Sequence, residues 1–318
     1  MTPEGRRSDG GSPLVEQVAR QFFEQQLTKV EIAQRLGISR FRVARLLDRA
    51  LADGVVRIEF RDTPSQDREL GRLVADRFRI GRCVVAESSD AAALARLGAE
   101  VVDGLLDPGD SIGIAWGSTV SRVVRAMPRR ADASLEVVQL AGSSASFEAG
   151  EDPGDLTRVL ADRLGAGHHR IHAPAFVGSV EVRAALLREP EVAAAVGRFA
   201  SLDVALLGIG AFDMGEGGQP SSSLLRSGAM SAAESKELVA RGAVGDLIVH
   251  PFALAGAFVT SDLASRAIAI SIPELRAVPT VVAVAAGAAK VAAIRGALAT
   301  GVVGALVTDA ATARRLLP

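Results

Sequence analysis

The chain of 318 residues has a single cysteine, Cys83. That excludes an intrachain disulfide framework and any four-cysteine zinc site. A lone thiol fits a reducing cytoplasm and is most simply a small apolar core residue. Charge of one sign is also lacking: 37 acids face 36 bases, for a formal net charge of −1. This excludes a wholly basic nucleic-acid coat protein but leaves room for a locally basic module. Met1–Gly11 holds no apolar run of the kind a signal peptide needs. Mean hydropathy is +0.26, yet the longest apolar stretch, Val278–Val307, is broken by Gly287, Lys290, Arg295 and Gly296. A spanning helix needs ~20 mostly apolar residues without such charges, so this stretch reads as a strand, a helix and a second strand. The expectation is a cytoplasmic chain without a membrane partner.

What is present suffices for a sizeable core. Hydrophobic residues make up 48% and charged residues 23%, both ordinary for a globular protein. At ~150 residues per domain the length suggests about two domains. Charge is distributed unevenly between them. Residues 1–62 carry eleven Lys/Arg and nine Asp/Glu, and Arg35–Arg49 holds five arginines against one acid, Asp48. Such local contrast marks a small DNA-contacting module on a near-neutral protein.

Helix punctuation is dense in this first region. Ser12-Pro13 reads as an N-cap and first-turn pair opening a helix through Gln26. Thr28-Lys29-Val30-Glu31 is a capping box that opens a short helix to Leu36, with Gly37 as its left-handed stop. Ser39 caps a third helix running to about Asp53, and Gly54 ends it. Val55–Phe60 alternates as a strand and suggests a wing. Two short helices joined by a tight glycine turn make a helix-turn-helix. On the third helix Val43, Leu46, Leu47 and Ala50 share one face, and Arg42, Arg45 and Arg49 share the opposite one. Three arginines alone are ordinarily a solvated face. Beside a glycine turn, two caps and a wing they read as a recognition helix, with Ser39, Arg40, Arg42, Arg45 and Arg49 as the DNA-contacting set and double-stranded operator DNA as partner. The run T-K-V-E-I-A-Q-R-L-G-I-S-R-F-R-V-A-R-L-L-D-R-A-L-A-D (28–53), followed by G-V-V-R-I, resembles the N-terminal domain of the SorC family of bacterial sugar-responsive transcriptional regulators.

Arg61–Gln66 is polar and contains Pro64, making it the expected boundary between a helix-turn-helix domain (1–62) and a second domain (63–318). A helix over Asp67–Phe78 is expected to lead into Cys83–Ala86. Apolar runs then recur at Ser111–Ala115, Leu135–Leu140, Val204–Gly208, Val281–Ala285 and Ala305–Thr308. Between them lie helical stretches at Ala91–Leu106, Leu156–Leu164, Glu191–Ala200, Ala288–Ala299 and Ala310–Leu317. Alternation of this kind predicts an α/β domain with a mostly parallel sheet covered on both faces. Ligands of such sheets sit at the strands' carboxyl ends, where glycine loops meet helix N-termini. Ile114–Val120, Leu140–Ser144, Leu207–Gly210 and Ala286–Lys290 are four such loops. One loop alone often has only a structural reason; four in one domain, one carrying a lysine, point to a small anionic ligand. There is no G-x-x-x-x-G-K-[ST] and no G-x-G-x-x-G after a first strand, so a phosphorylated sugar fits better than a nucleotide.

G-D-S-I-G-I-A-W-G-S-T-V (109–120), V-V-Q-L-A-G-S (137–143), A-L-L-G-I-G (205–210), G-A-V-G-D (242–246), I-P-E-L-R-A-V-P (272–279), A-A-G-A-A-K-V-A-A-I-R-G-A-L (285–298) and V-T-D-A-A-T-A-R-R-L-L (307–317) are similar, in order, to the SorC sugar-binding domain. The resemblance implies a fold related to sugar-phosphate isomerases and deaminases, used as an effector sensor in a homo-oligomer, a dimer or tetramer. It implies effector contacts from Gly117, Ser118 and Thr119 in an anion-binding loop, Gln139 and Gly142 in a second, and Gly208 and Gly210 in a third. Asp246 would accept hydroxyl hydrogen bonds and Lys290 would face the ligand. Two departures stand out. Ala253 occupies a position where an acid or amide often follows the aromatic residue. Ala141-Gly142-Ser143 lacks the arginine some members carry, which argues against a doubly phosphorylated effector.

Other residues carry weaker signals. His168, His169 and His172 have no nearby cysteine or carboxylate to complete a metal shell and read as surface or turn residues; no metal and no cofactor are expected. Trp116 could stack on a sugar or simply be buried. Asp309 reads as the N-cap of the last helix. Lys290 and Asp246 could form an acid/base pair, so a sugar-phosphate isomerase or deaminase-like enzyme is the competing reading. Beyond Asp246 no paired carboxylates support it, no catalytic residues are assigned, and the arginine face has no purpose in it. The sequence therefore reads as a non-enzymatic regulator.

Overall fold

A computed structural model describes residues 13–25, 27–56, 65–144, 147, 150–212 and 221–317. The chain divides into two compact units, Met1–Asp62 and Thr63–Pro318.

The first unit contains α1 (Pro13–Phe23), α2 (Lys29–Leu36) and α3 (Arg40–Ala52). Local chemistry sets the boundaries. Glu31 N–H donates to Thr28 Oγ1 at 3.3 Å, while Thr28 N–H donates to Glu31 Oε2 at 2.8 Å. That reciprocal box satisfies donors a helix start would leave unpaired, and the Thr28 N–H holds the Glu31 carboxyl below its ordinary range. Gly37 closes α2 at φ 63°, and Ser39 caps α3 by accepting from Arg42 N–H at 3.2 Å. Val18, Ile32, Val43 and Leu47 form the buried centre. α1 stops at Phe23, short of the expected Gln26, because Glu24 and Gln25 leave the helix in a turn and a bend; the expected Ser12 cap, Gln26 itself and the wing over 57–60 lie outside the described residues. Val55 and Val56 form a bend.

In the second unit, α4 (Arg68–Phe78), α5 (Ala91–Asp103), α6 (Ser118–Ala126) and α7 (Pro153–Leu164) alternate with β1 (Arg82–Ala86), β2 (Ser111–Ile114), β3 (Glu136–Gln139) and β4 (Gly167–His169). Helices α8 (Val180–Leu186) and α9 (Pro190–Gly197) precede β5 (Val204–Gly208) and the short β6 (Gly210–Ala211). Then come α10 (Ser223–Arg226), α11 (Ala232–Ala240), β7 (Ala243–Leu247) and β8 (His250–Ala253). The chain ends with α12 (Asp262–Ser265), α13 (Ile272–Ala277), β9 (Thr280–Val284), α14 (Val291–Ala299), β10 (Ala305–Asp309) and α15 (Ala310–Leu316). Among the described residues, seven strands form one parallel sheet in the order β1-β10-β9-β5-β2-β3-β4.

Both faces of that sheet are buried, which explains the continuously apolar strand sequences. Leu206, Val282 and Val307 pack with α5, α6 and α7 on one side. Their neighbours Leu207, Ala283 and Leu306 pack with α4, α14 and α15 on the other. Asp309 accepts from Thr312 N–H at 2.6 Å and caps α15 as its position suggested. Cys83 packs against the core, and burial pushes its thiol to about 12. The stretch Val278–Val307 is indeed strand, helix, strand, but its helix starts later than expected, since Ala288–Lys290 forms a 3-10 turn ahead of α14.

Several elements were not anticipated. β6, β7 and β8 form a small antiparallel sheet, joined at Gly210–Asp246 and Ala211–Gly245. β4 is a polar edge strand; it contains His168 and His169, and His169 Nε2 contacts Glu136 Oε2 on β3. These two histidines are therefore strand residues, while His172 lies exposed beyond the strand. No described helix is long and apolar enough to cross a membrane.

Candidate functional site

The central strands β2, β5 and β9 are adjacent in the sheet, and their carboxyl ends open onto one cleft of about 420 Å³. The first wall follows β2. Gly117 adopts φ 114°, ψ 158°, a conformation closed to residues with a Cβ. It turns the chain so that α6 begins at Ser118 with no side chain capping it. Ser118, Thr119 and Val120 of that first turn line the cleft, and the N–H groups and dipole of a helix start favour an anion. Gly117 N–H itself donates to Glu151 O at 3.2 Å, tying this loop to the segment before α7.

The second wall follows β5. Gly208, Ile209 and Gly210 line the cleft, and a Cβ at Gly210 would lie 2.1 Å from Asp246 Oδ1. Only glycine lets β6 approach the carboxylate on β7 so closely. Asp246 is buried and accepts a hydrogen bond from Ser222 Oγ at 2.7 Å. Burial pushes its carboxyl to about 6, against the opposing pull of the Ser222 hydroxyl and the Lys290 and Arg226 charges.

Lys290, in the turn after β9, donates from Nζ to Ile209 O at 2.8 Å. Burial lowers its ammonium to about 8, while the Asp246 carboxylate works to raise it. Glycine again sets the approach: Gly287 has φ 115°, ψ 150°, nearly the conformation of Gly117. A second cleft of about 1130 Å³ continues from the first, sharing Thr119, Ser221 and Lys290 and flanked by Arg122 and Arg315.

The structure therefore brings Gly117, Ser118, Thr119, Gly208, Gly210, Asp246 and Lys290 together. It does not bring Gln139 and Gly142 to the cleft. Gln139 is fully buried and satisfied: Nε2 donates to Ala141 O at 2.6 Å and Ser143 Oγ at 3.2 Å, and Oε1 accepts from Ile171 N–H at 3.1 Å. Gly142 lies against the backbone of Pro174, which a Cβ would strike at 2.6 Å, and its N–H donates to Ile268 O. Ser143 hydrogen-bonds Asp152 at 2.9 Å, so this second loop braces the α7 start from behind. Trp116 is buried, with its ring centroid 4.8 Å from that of Phe147.

Sequence reasoning missed Arg226, Ser223 and Ile248, which also line the cleft. The Arg226 guanidinium donates to Glu151 Oε2 at 3.2 Å and Ser223 Oγ at 3.1 Å. Its only sequence signal was the serine run 221–223, an N-cap pattern before a short helix. Ile248 has φ 60° in the β7–β8 turn, a conformation rare for a β-branched residue, and no local motif announced it.

In the first unit, Arg40, Arg42, Arg45 and Arg49 are all exposed, whereas Val43, Leu47 and Ala50 are buried. The apolar stripe docks the helix and the arginine face is open. Arg49 pairs with Asp53 at 3.0 Å across two exposed side chains, an interaction worth little in water. The Ser39 hydroxyl is engaged as the α3 cap.

The Sugar-bind family model, a sugar-binding domain, matches residues 62–318. The sorbitol operon regulator of Klebsiella pneumoniae is 30% identical over 317 residues, covering 96% of this chain and 97% of that protein. The erythritol catabolism regulatory protein EryD of Brucella abortus is 30% identical over 318 residues, covering 98% of each. The crystal structure of full-length SorC from Klebsiella pneumoniae matches with a TM-score of 0.74, over 96% of this chain and 98% of that one. By sequence over nearly its whole length, and by fold, the chain belongs to the SorC family of transcriptional regulators.

Proposed function

We propose that the chain binds operator DNA through the arginine face of α3 and that a sugar or polyol, free or phosphorylated, changes this affinity from the cleft at the sheet's carboxyl edge. The observation that carries the reading is the convergence of an uncapped helix start, Lys290, Arg226 and the buried Asp246 on one cleft. An anion suits the Ser118–Thr119 backbone and the two cations; a charged acceptor such as Asp246 suits hydroxyls. The two relatives above are named for sorbitol and erythritol systems, and polyol chemistry matches that combination. Gln139 and Gly142 enter the reading as supports of the cleft, not contacts. A homo-oligomer, dimer or tetramer, would pair helix-turn-helix units on paired half-sites.

The test is a panel of sugars, polyols and their phosphates scored by thermal shift and then by DNA binding, for wild type and Lys290→Ala. The variant should keep its DNA affinity and lose the ligand-induced change, a coupling of ~1–3 kcal/mol. An equal response in both proteins would place the ligand elsewhere. Asp246 and Lys290 line the same cleft, and burial moves the carboxyl up and the ammonium down towards neutrality, which keeps an isomerase or deaminase-like reaction as the second reading. Recovery of the bound ligand unchanged favours the regulator; conversion favours the enzyme.

A further inference from the structure

Phe41, in the first turn of α3, is 67% exposed, more than any other large apolar side chain among the described residues. The unit's core does not use it, since α3 docks through Val43, Leu47 and Ala50. At about 100° per residue, Phe41, Arg45, Arg49 and Arg42 fall in that order within an arc of about 100°, opposite the buried stripe. The Arg40 guanidinium stands 4.9 Å from the ring centroid and steadies the ring while leaving its remaining surface open. An apolar ring rimmed by arginines is a poor seat for an apolar protein surface, because docking would strip those charges of water without pairing them. It suits a polyanion that carries isolated apolar spots. The DNA major groove is such a surface: its apolar feature is the thymine C5-methyl group. Residues of the first turn of a recognition helix are also the ones that reach base edges.

We propose that Phe41 reads sequence directly, its ring packing on the C5-methyl of a thymine while neighbouring arginines hold base edges and phosphates. The proposal rests on the DNA-binding reading above and names the chemistry that one position of the site must present.

Deoxyuridine differs from thymidine only by that methyl, which supplies the test. Duplexes are selected from a random library by the full-length protein, and each thymine of the enriched sequence is replaced in turn by deoxyuridine. One thymine per half-site should show about a fourfold loss of affinity, the equivalent of ~0.8 kcal/mol for one buried carbon. In Phe41→Ala that loss should vanish at that thymine alone, while Phe41→Leu, which keeps an apolar body, retains part of it. Arg45→Ala should weaken binding yet leave the uracil penalty intact. A uracil penalty identical in wild type and Phe41→Ala at every thymine overturns the proposal, as does an enriched site without thymine. Failure of the wild-type protein to enrich any sequence overturns the DNA reading itself, and this proposal falls with it.

Discussion

In the N-terminal unit the described arginines are exposed, and a few aliphatic side chains beneath those of α3 hold three short helices together. In the C-terminal unit the decisive charges are turned inward, at the carboxyl ends of β2, β5 and β9, between two aliphatic layers. The first arrangement keeps each guanidinium hydrated, so the charge sits there at almost no expense to the fold. The second desolvates its charges, and the result is an Asp246 carboxyl raised to about 6 and a Lys290 ammonium lowered to about 8. An outward face can meet a large, rigid polyanion. An inward one can discriminate a small molecule, because water is excluded and each polar group must be matched.

The sharpest way to break the comparison is to neutralise the outward face. Replacing Arg42, Arg45 and Arg49 together with alanine should abolish operator binding in gel shifts. Each base-contacting arginine contributes ~1–3 kcal/mol and each phosphate contact a unit of salt slope. Thermal unfolding should stay nearly unchanged, since exposed substitutions stay within ~0.5 kcal/mol. Retained operator affinity would mean that the outward charges are only a solvated surface.

The inward face should respond in the opposite manner, through stability. Asp246 has its carboxyl raised from 3.8 to about 6, so the native state holds a proton that the unfolded state has lost between those pH values. Its contribution is fully present below about pH 4 and lost as pH rises through about 6, a fall of about 3 kcal/mol. Asp246→Asn, which can still accept from Ser222, should remove that slope and unfold later than wild type at pH 7.5. The check is denaturant unfolding between pH 4 and 8, and parallel slopes for the two proteins would show that Asp246 is hydrated after all.

The smallest expected effect sharpens the contrast in how the units are held. Thr28→Ala removes a cap in the first unit and should cost ~1 kcal/mol. Amide exchange of α2 in the whole protein should then speed up by about fivefold, with no change at the C-terminal sheet. Equal exchange in both proteins would mean that tertiary packing, not the capping box, sets the α2 boundary.

Much of the architecture was readable where its causes are local. The capping box at Thr28–Glu31, the Gly37 stop, the Ser39 cap and the Asp309 cap each act over a few residues, and each is present. The buried parallel strands were readable because burial on both faces leaves continuous apolar runs. Gly208 and Gly210 were readable as a strand-end loop. What escaped was long-range. The β6–β7–β8 sheet depends on pairing Gly210 with Asp246, and β4 is an edge strand too polar to show a strand pattern. Arg226 acquires meaning only when it meets Glu151, 75 residues earlier. The family resemblance implied effector contacts from Gln139 and Gly142, yet their loop is bound into Ile171, Pro174 and Ile268.

By itself, then, the sequence determined the boundaries of α2 and α3 in the first unit, the outward arginine face, the alternation of buried strands with helices, and the glycines at strand ends. These follow from hydrogen bonds within a turn and from periodicity of apolar side chains, both written in neighbouring residues. Only the tertiary structure decided which strand ends adjoin, that Arg226 and Ile248 complete the cleft, and that Gln139 stands behind it. Those outcomes depend on sheet order and on close approaches such as Gly210 to Asp246, which arise between segments far apart in the chain.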